Sequence, residues 1–323
     1  MNGRGEMKQK RTWQEHLQAL DRRIIYLLIA LAVVIPFFFP LGLPTNVTEP
    51  VRQVFDYVET LPPGSVVLIS FDFGPSTMPE MYPMVRAVLR HCFVRDLVVI
   101  GVANHPDGTA LGRIAMSEVA ADYGKVNQED YVYLGYMAGA SAVMLAIGRD
   151  LHGVYPRDYG GVPIGEIELL EEVHTYNDID LVVSIAATAL AEFWVLYANT
   201  PYRQQVALGV TAVQALNFYP YLDTGQAIGL LGGMKGASEY EKLVNDLEEE
   251  LGIAEARRRA LPEAQLRALE RRFREASIGM DSQSIVHAAI IAFIVLGNAA
   301  FFTLRRRRRA EELAESARGK GTD

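Results

Sequence analysis

Two charge-free apolar runs limit what this chain can fold into. "IIYLLIALAVVIPFFFPLGLPTNVT" extends from Ile24 to Thr48, and "SQSIVHAAIIAFIVLGNAAFFTL" from Ser282 to Leu304. A helix rising about 1.5 Å per residue crosses a hydrocarbon core of about 30 Å in roughly twenty residues. Both runs meet that length, so membrane helices are expected over 24–44 and 282–304. Arg22 and Arg23 stand directly before the first run, and Arg305, Arg306, Arg307, Arg308 and Arg309 directly after the second. Basic clusters collect on the cytoplasmic side of spans. The expected topology therefore has cytoplasmic basic tails at 1–23 and 305–323, with everything between the spans outside the cytoplasm. A cleaved signal peptide fits the first run less well, because its apolar core is long and rich in Phe, and no small-x-small cleavage site follows it.

Charge distribution argues against a nucleic-acid partner. Residues 1–23 carry six Lys/Arg against three acids, and residues 305–323 carry seven against four. Each tail is thus +3, so the whole-chain charge of -8 leaves -14 between them. So acidic a body repels phosphate backbones, and an arginine run abutting an apolar 23-mer reads as a stop-transfer and orientation signal. The partners implied are the lipid bilayer, other membrane or envelope proteins, and a second copy of the chain. Cys92 is the single cysteine, which excludes an internal disulfide and a thiolate-rich zinc site.

Between the spans, short β-branched runs alternate with helical patterns. The runs are "SVVLIS" (65–70), "DLVVIGVA" (96–103), "DYVYLGY" (130–136), "DLVVSIA" (180–186) and "QVALGVTAV" (205–213). Continuous apolar strands imply burial on both faces, as in a parallel sheet. Helical spacing follows in "MPEMYPMVRAVLRHCF", "ALGRIAMSEVAADYG", "ASAVMLAIGRDLHGV" and "TALAEFWVLYANT". The pattern predicts an α/β domain over 49–236 with a doubly wound, mostly parallel sheet. The Gly/Pro-interrupted stretch 155–180 reads as a solvated excursion, with a lid or partner surface as the functional alternative. From 237 to 280 the composition turns highly charged, with Leu243, Leu247 and Leu251 on one helical face and Leu266, Leu269 and Phe273 on another. That pattern predicts a helical hairpin or stalk. Residues 131–148 and 204–222 are also charge-free, so further membrane segments are a rival expectation.

Ligands of open α/β sheets bind beyond the carboxyl ends of the strands. The first such loop, "FDFGPSTMPE", offers Asp72, Ser76 and Thr77 before a helix. Thr77 and Glu80 also fit a capping box, which would satisfy free N–H groups without any ligand. The second loop, "NHPDGT", offers Asn104 and His105, with His105 the histidine best placed to reach Asp72 for acid–base chemistry. Thr188 and Thr211 follow the later strands. Lys235 lies in "GLLGGMKGASEYE", which lacks the order of a phosphate-binding loop and carries its own Ser238/Glu241 capping pattern. No histidine pair has metal-ligand spacing, no catalytic signature is present, and no motif names a cofactor. The expectation is a membrane-anchored extracytoplasmic α/β domain acting as a small-molecule-binding or scaffold subunit of an envelope complex. Its alternatives are a hydrolase-like enzyme using Asp72 and His105, or a transport component with additional spans.

Overall fold

A computed structural model describes residues Arg22–Gly319. It contains two compact units, Leu43–Met280 and a second made of the described residues up to Gly42 together with those from Asp281 onward. In the second unit, helix α1 spans Arg22–Phe38. The first unit opens with α2 (Glu49–Thr60), followed by β1 (Val66–Asp72), α3 (Met78–Val94), β2 (Val98–Ala103), α4 (Gly108–Tyr123) and β3 (Tyr131–Tyr136). Then come α5 (Ala140–Ile147), α6 (Leu151–Val154), β4 (Leu181–Ala186), α7 (Leu190–Trp194), α8 (Thr200–Tyr202) and β5 (Val206–Val210). The last elements are α9 (Tyr219–Asp223), β6 (Gly229–Gly232), α10 (Gly233–Glu250), α11 (Ile253–Ala260) and α12 (Glu263–Arg272); α13 (Glu275–Gly319) begins in this unit and belongs to the second from Asp281 on.

All six strands are parallel, in the order β3-β2-β1-β4-β5-β6. The five expected strands are present because each β-branched run is covered on both faces. Val67, Ile69 and Phe71 enter one buried cluster with α2, α3, α4 and α10, while Leu68, Val182 and Leu208 enter the other with α5, α7 and the 155–179 connection. The charge-free stretches 131–148 and 204–222 are thereby accounted for as β3 with α5, and β5 with its following loop, not as spans. Connection 155–180 packs Tyr155, Ile164, Ile167, Leu170 and Tyr176 into the core instead of forming a solvated excursion or a detached lid.

β6 and α2 escape the sequence pattern. β6 is only Gly-Leu-Leu-Gly, with no β-branched residue, and Pro50 of α2 lies so close that a Cβ on Gly229 would stand 2.3 Å from its carbonyl oxygen. α2 follows the Pro-rich exit and buries Val51, Val54 and Val58, a helical face of three valines in an otherwise polar segment.

The segment expected as a hairpin or stalk belongs to the same compact unit as the sheet. α10 buries Ala237, Tyr240, Leu243, Val244 and Leu247, whereas Leu251 is exposed. Ser238 does not cap it, since the helix already begins at Gly233 and Ser238 Oγ donates to Lys235 O at 2.8 Å. Charged contacts hold the rest in place. Buried Arg90 pairs with Glu248 at 3.1 Å and lies 3.7 Å over the Phe273 ring.

Glu241, expected to complete that cap, instead serves the first turn of α13. It accepts the backbone N–H groups of Ala276 (2.9 Å) and Ser277 (3.1 Å), and the Ser277 hydroxyl at 2.6 Å. Burial pushes its carboxyl up to about 7, against the opposing effect of these donors and of Arg90. A raised folded-state pKa means that the stabilising contribution is complete below the ordinary carboxylate range and declines as pH rises through about 7. Glu241→Gln should flatten the pH dependence of the melting temperature between about pH 4.5 and 7. A pH profile unchanged from that of the parent protein would refute this role.

The two apolar helices differ from expectation in length. α1 has 17 residues and stops at Phe38, short of residue 44: Pro40 and Pro44 have no N–H to extend the hydrogen-bond ladder, and Gly42 takes a left-handed φ of 62°. It is therefore about 25 Å long, below a full hydrocarbon core. Among the described residues one helix, Glu275–Arg306, is long and apolar enough to cross a membrane, and only 6% of its apolar window is buried. α13 also starts before residue 282 and runs on through Arg305–Arg309 without a break.

Candidate functional site

From β1 the chain winds outward to β2 and β3, and from β4 in the opposite direction to β5 and β6. The direction reverses between β1 and β4, so the loops after these strands, Phe73–Thr77 and Ala187–Ala189, splay apart at the carboxyl edge. This is the strand order of the doubly wound dinucleotide-type sheet, which fixes the position of a crevice but not its ligand.

Asp72 ends β1 and is fully buried. Its Oδ2 accepts the Ser70 hydroxyl at 2.5 Å and its Oδ1 accepts the Asn104 backbone N–H at 2.6 Å. Burial raises its pKa, partly offset by these two donors, by Trp194 and by the His105 backbone N–H. The Trp194 indole N–H acts on the carboxylate without closing a hydrogen bond of ordinary geometry. Asp72 thus locks the end of β1 to the loop after β2. The close approach of α4 to the same strand depends on glycine: a Cβ on Gly108 would stand 1.7 Å from Phe71 O, and one on Gly112 would stand 2.6 Å from the Phe71 ring.

The structure brings Asp72 and Asn104 together but does not pair Asp72 with the His105 ring. His105 Nδ1 is buried and has no hydrogen-bond partner among the described residues, as is true of Asn104 Oδ1 and Gln214 Oε1. Asn104 Nδ2 donates to Ser70 Oγ at 3.2 Å. Ser76 is exposed at the loop tip. Thr77 makes no side-chain cap; its hydroxyl donates to Gly74 O at 3.2 Å, and Glu80 Oε2 accepts the Ala212 N–H at 3.0 Å, so the expected capping box is not formed. Thr188 Oγ1 accepts the Leu190 N–H at 3.3 Å, which begins α7. Buried Thr211 turns the chain after β5 through its carbonyl, which accepts from Gln214 and Ala215, both at 3.1 Å. Lys235 lies in the first turn of α10 with its ammonium paired to the buried Glu239 carboxylate.

Sequence inspection missed a second polar group beneath the edge. Ser184 sits opposite Ser70 in the β1–β4 register, and both share the sheet face of Leu68 and Val182. Among the described residues Ser184 Oγ and Tyr155 OH are buried without hydrogen-bond partners, and burial, with the Asp72 charge adding to it, raises the pKa values of Tyr155 and Tyr133. The legible signal was a serine at matching positions in two otherwise apolar strands, "LIS" and "VVS". Buried polar atoms are ordinarily paired, so such a collection marks a place where water or ligand completes the bonding.

An open cleft of about 470 Å3 lies at the opposite, amino edge, lined by Asp96, Asp122, Lys125, Asp130 and Arg257 among others. Its charges neutralise one another, with Lys125 Nζ 2.7 Å from Asp96 and 3.1 Å from Asp130, and Arg257 2.6 Å from Glu248. It therefore lacks the unsatisfied groups of the carboxyl edge. Cys92 is buried, and its thiol is pushed up to about 12, which removes it as a nucleophile at neutral pH. No cluster of three or more His, Cys, Asp or Glu able to hold a metal occurs among the described residues. No family model matches this chain, and no curated protein matches it significantly.

Proposed function

We propose that the chain is a two-span membrane protein whose acidic α/β unit lies outside the cytoplasm and binds a small polar ligand at the carboxyl edge of its sheet, as the binding subunit of an envelope membrane complex. The observation that carries the ligand reading is the set of buried, unpartnered atoms at the strand ends: Asn104 Oδ1, His105 Nδ1 and Gln214 Oε1. They offer acceptors, and from the imidazole an acceptor or donor, to a molecule rich in hydroxyl or amide groups. Asp72 supports them from below and does not touch the ligand.

The two-span reading is supported from within the second unit. Asp281 Oδ2 accepts the backbone N–H groups of Leu41 (3.0 Å) and Gly42 (2.8 Å), which joins the chain just after α1 to the start of the apolar part of α13. Both apolar segments would then enter the bilayer from one side, with Arg22–Arg23 and Arg305–Arg309 at the other. The short α1 is accommodated by residues 39–43, which are apolar or glycine, or by local thinning. Protease added from outside should leave both tails intact. Termini on opposite sides would defeat this topology.

Full-length protein in nanodiscs, melted against sugars, amino acids, nucleotides and organic phosphates, tests the ligand. One class should raise the melting temperature, since a ligand at about 100 times Kd adds about 2.7 kcal/mol. That shift should vanish in His105→Ala and Gln214→Ala, while their unliganded melting temperatures stay near the parent value. A shift that survives both substitutions, or no shift with any class, would overturn the site.

A further inference from the structure

Both ends of the unit Leu43–Met280 come in along α10. This helix begins at Gly233, directly beyond the carboxyl end of β6, and descends toward the amino edge. Residues 273–279 run beside it in the opposite sense. Asn245 Nδ2 donates to Phe273 O at 3.2 Å, Glu241 accepts from Ala276 and Ser277 higher up, and a Cβ on Gly279 would stand 3.0 Å from Met234 Sδ at the top. α3 reports the same direction, since Arg90 Nη1 donates to Phe273 O at 3.3 Å and Arg86, one turn nearer the carboxyl edge, pairs with Glu275. The chain thus leaves the unit at the carboxyl edge, and the charge-free run begins at Ser282. At the other end, Thr48 is tied to Glu239 in the second turn of α10, its N–H at 2.7 Å and its hydroxyl at 2.6 Å.

The loop after β5 flanks this exit. A Cβ on Gly233 would meet Ala212 at 2.6 Å, and one on Gly232 would meet Ala215 at 3.1 Å. From the same loop Val213 and Leu216 project almost entirely into solvent, at 88% and 78% exposure, with Tyr219 at 44% beside them. Residues 204–222 contain no charge. Solvent-facing valine and leucine with a neighbouring tyrosine, on an uncharged loop where the chain departs for the bilayer, have the composition of a membrane-interface contact.

We propose that the loop Thr211–Tyr219 rests in the surface of the bilayer that α13 enters, with Val213 and Leu216 in the acyl boundary. The carboxyl-edge site then opens beside the lipid surface. The proposal rests on the membrane-spanning reading of α13, and the test separates the two. Cys92 is buried, so single cysteines at Val213→Cys, Leu216→Cys, Glu255→Cys and Ile291→Cys can be labelled with an environment-sensitive fluorophore in the full-length protein in nanodiscs. Glu255 is exposed in α11, beyond the amino-edge end of α10, and Ile291 lies in the apolar part of α13. Probes at 213 and 216 should be quenched by lipids carrying a shallow nitroxide, and should be several-fold less accessible to aqueous iodide than the probe at 255. The probe at 291 should be quenched by a deep nitroxide. If 291 responds but 213 and 216 behave like 255, the interface proposal is wrong and the span stands. If 291 is also iodide-accessible and unquenched by lipid, the membrane reading itself fails, and the proposal with it.

Discussion

Gly108→Ala should lower the stability of the α/β unit by about 3–5 kcal/mol, among the largest effects expected of one methyl group. The added carbon would stand 1.7 Å from the carbonyl oxygen of Phe71, an atom of central strand β1. A flexible side chain could rotate away, but a main-chain carbonyl held between β2 and β4 cannot. Relief therefore requires α4 to lift off the sheet and give up the burial of Ala115, Met116, Val119 and Ala120. Gly165→Ala is the matched control, because nothing lies within 4 Å of its Cβ position, and it should change stability by less than about 0.5 kcal/mol. Thermal melts of the two purified variants decide the matter. Equal melting temperatures would mean that the contact at Phe71 is not a constraint on the fold.

Asp72→Ala should cost roughly 2–4 kcal/mol, because it strips a buried N–H and a buried hydroxyl of their acceptor at one stroke. The groups left behind are the Asn104 N–H, now 2.6 Å from Oδ1, and the Ser70 hydroxyl, 2.5 Å from Oδ2. Asp72→Asn keeps an oxygen for Asn104 and removes a charge that burial already disfavours, so its cost should be the smaller by about 1 kcal/mol or more. Full burial also moves the expected effect of this residue from affinity to stability. Melting temperatures of both variants, with affinity measured on the folded fraction, test this account. If Asp72→Ala melts like the parent protein while ligand affinity collapses, Asp72 is a ligand contact and the locking role is wrong.

Legibility followed the range of the interaction that decides each feature. β1 to β5 were readable because burial on both faces demands unbroken apolar runs, and α3 and α4 because their apolar spacing is helical. β6 was not readable, since four residues with two glycines form a strand only when β5 offers its edge and α2 and α10 cover it. The capping patterns at Thr77/Glu80 and Ser238/Glu241 failed for a related reason. Their glutamates were drawn to Ala212 and to the first turn of α13, partners more than thirty residues away that a local pattern cannot weigh.

The sequence by itself determined where apolar surface had to be hidden, and hence the parallel α/β class, and it set the two apolar runs beside their flanking arginines. It also placed Asp72 and Asn104 at neighbouring strand ends. Only the tertiary structure decided what those side chains do. Burying the strand ends removed Asp72 from solvent and satisfied it with Ser70 and the Asn104 N–H, while leaving His105 Nδ1, Gln214 Oε1 and Asn104 Oδ1 without partners among the described residues. The physical reason is that apolar burial is nearly independent of which neighbour supplies the contact, so composition and period suffice to predict it. A hydrogen bond depends on distances of a few tenths of an ångström, and those are set by the packing of segments remote in sequence.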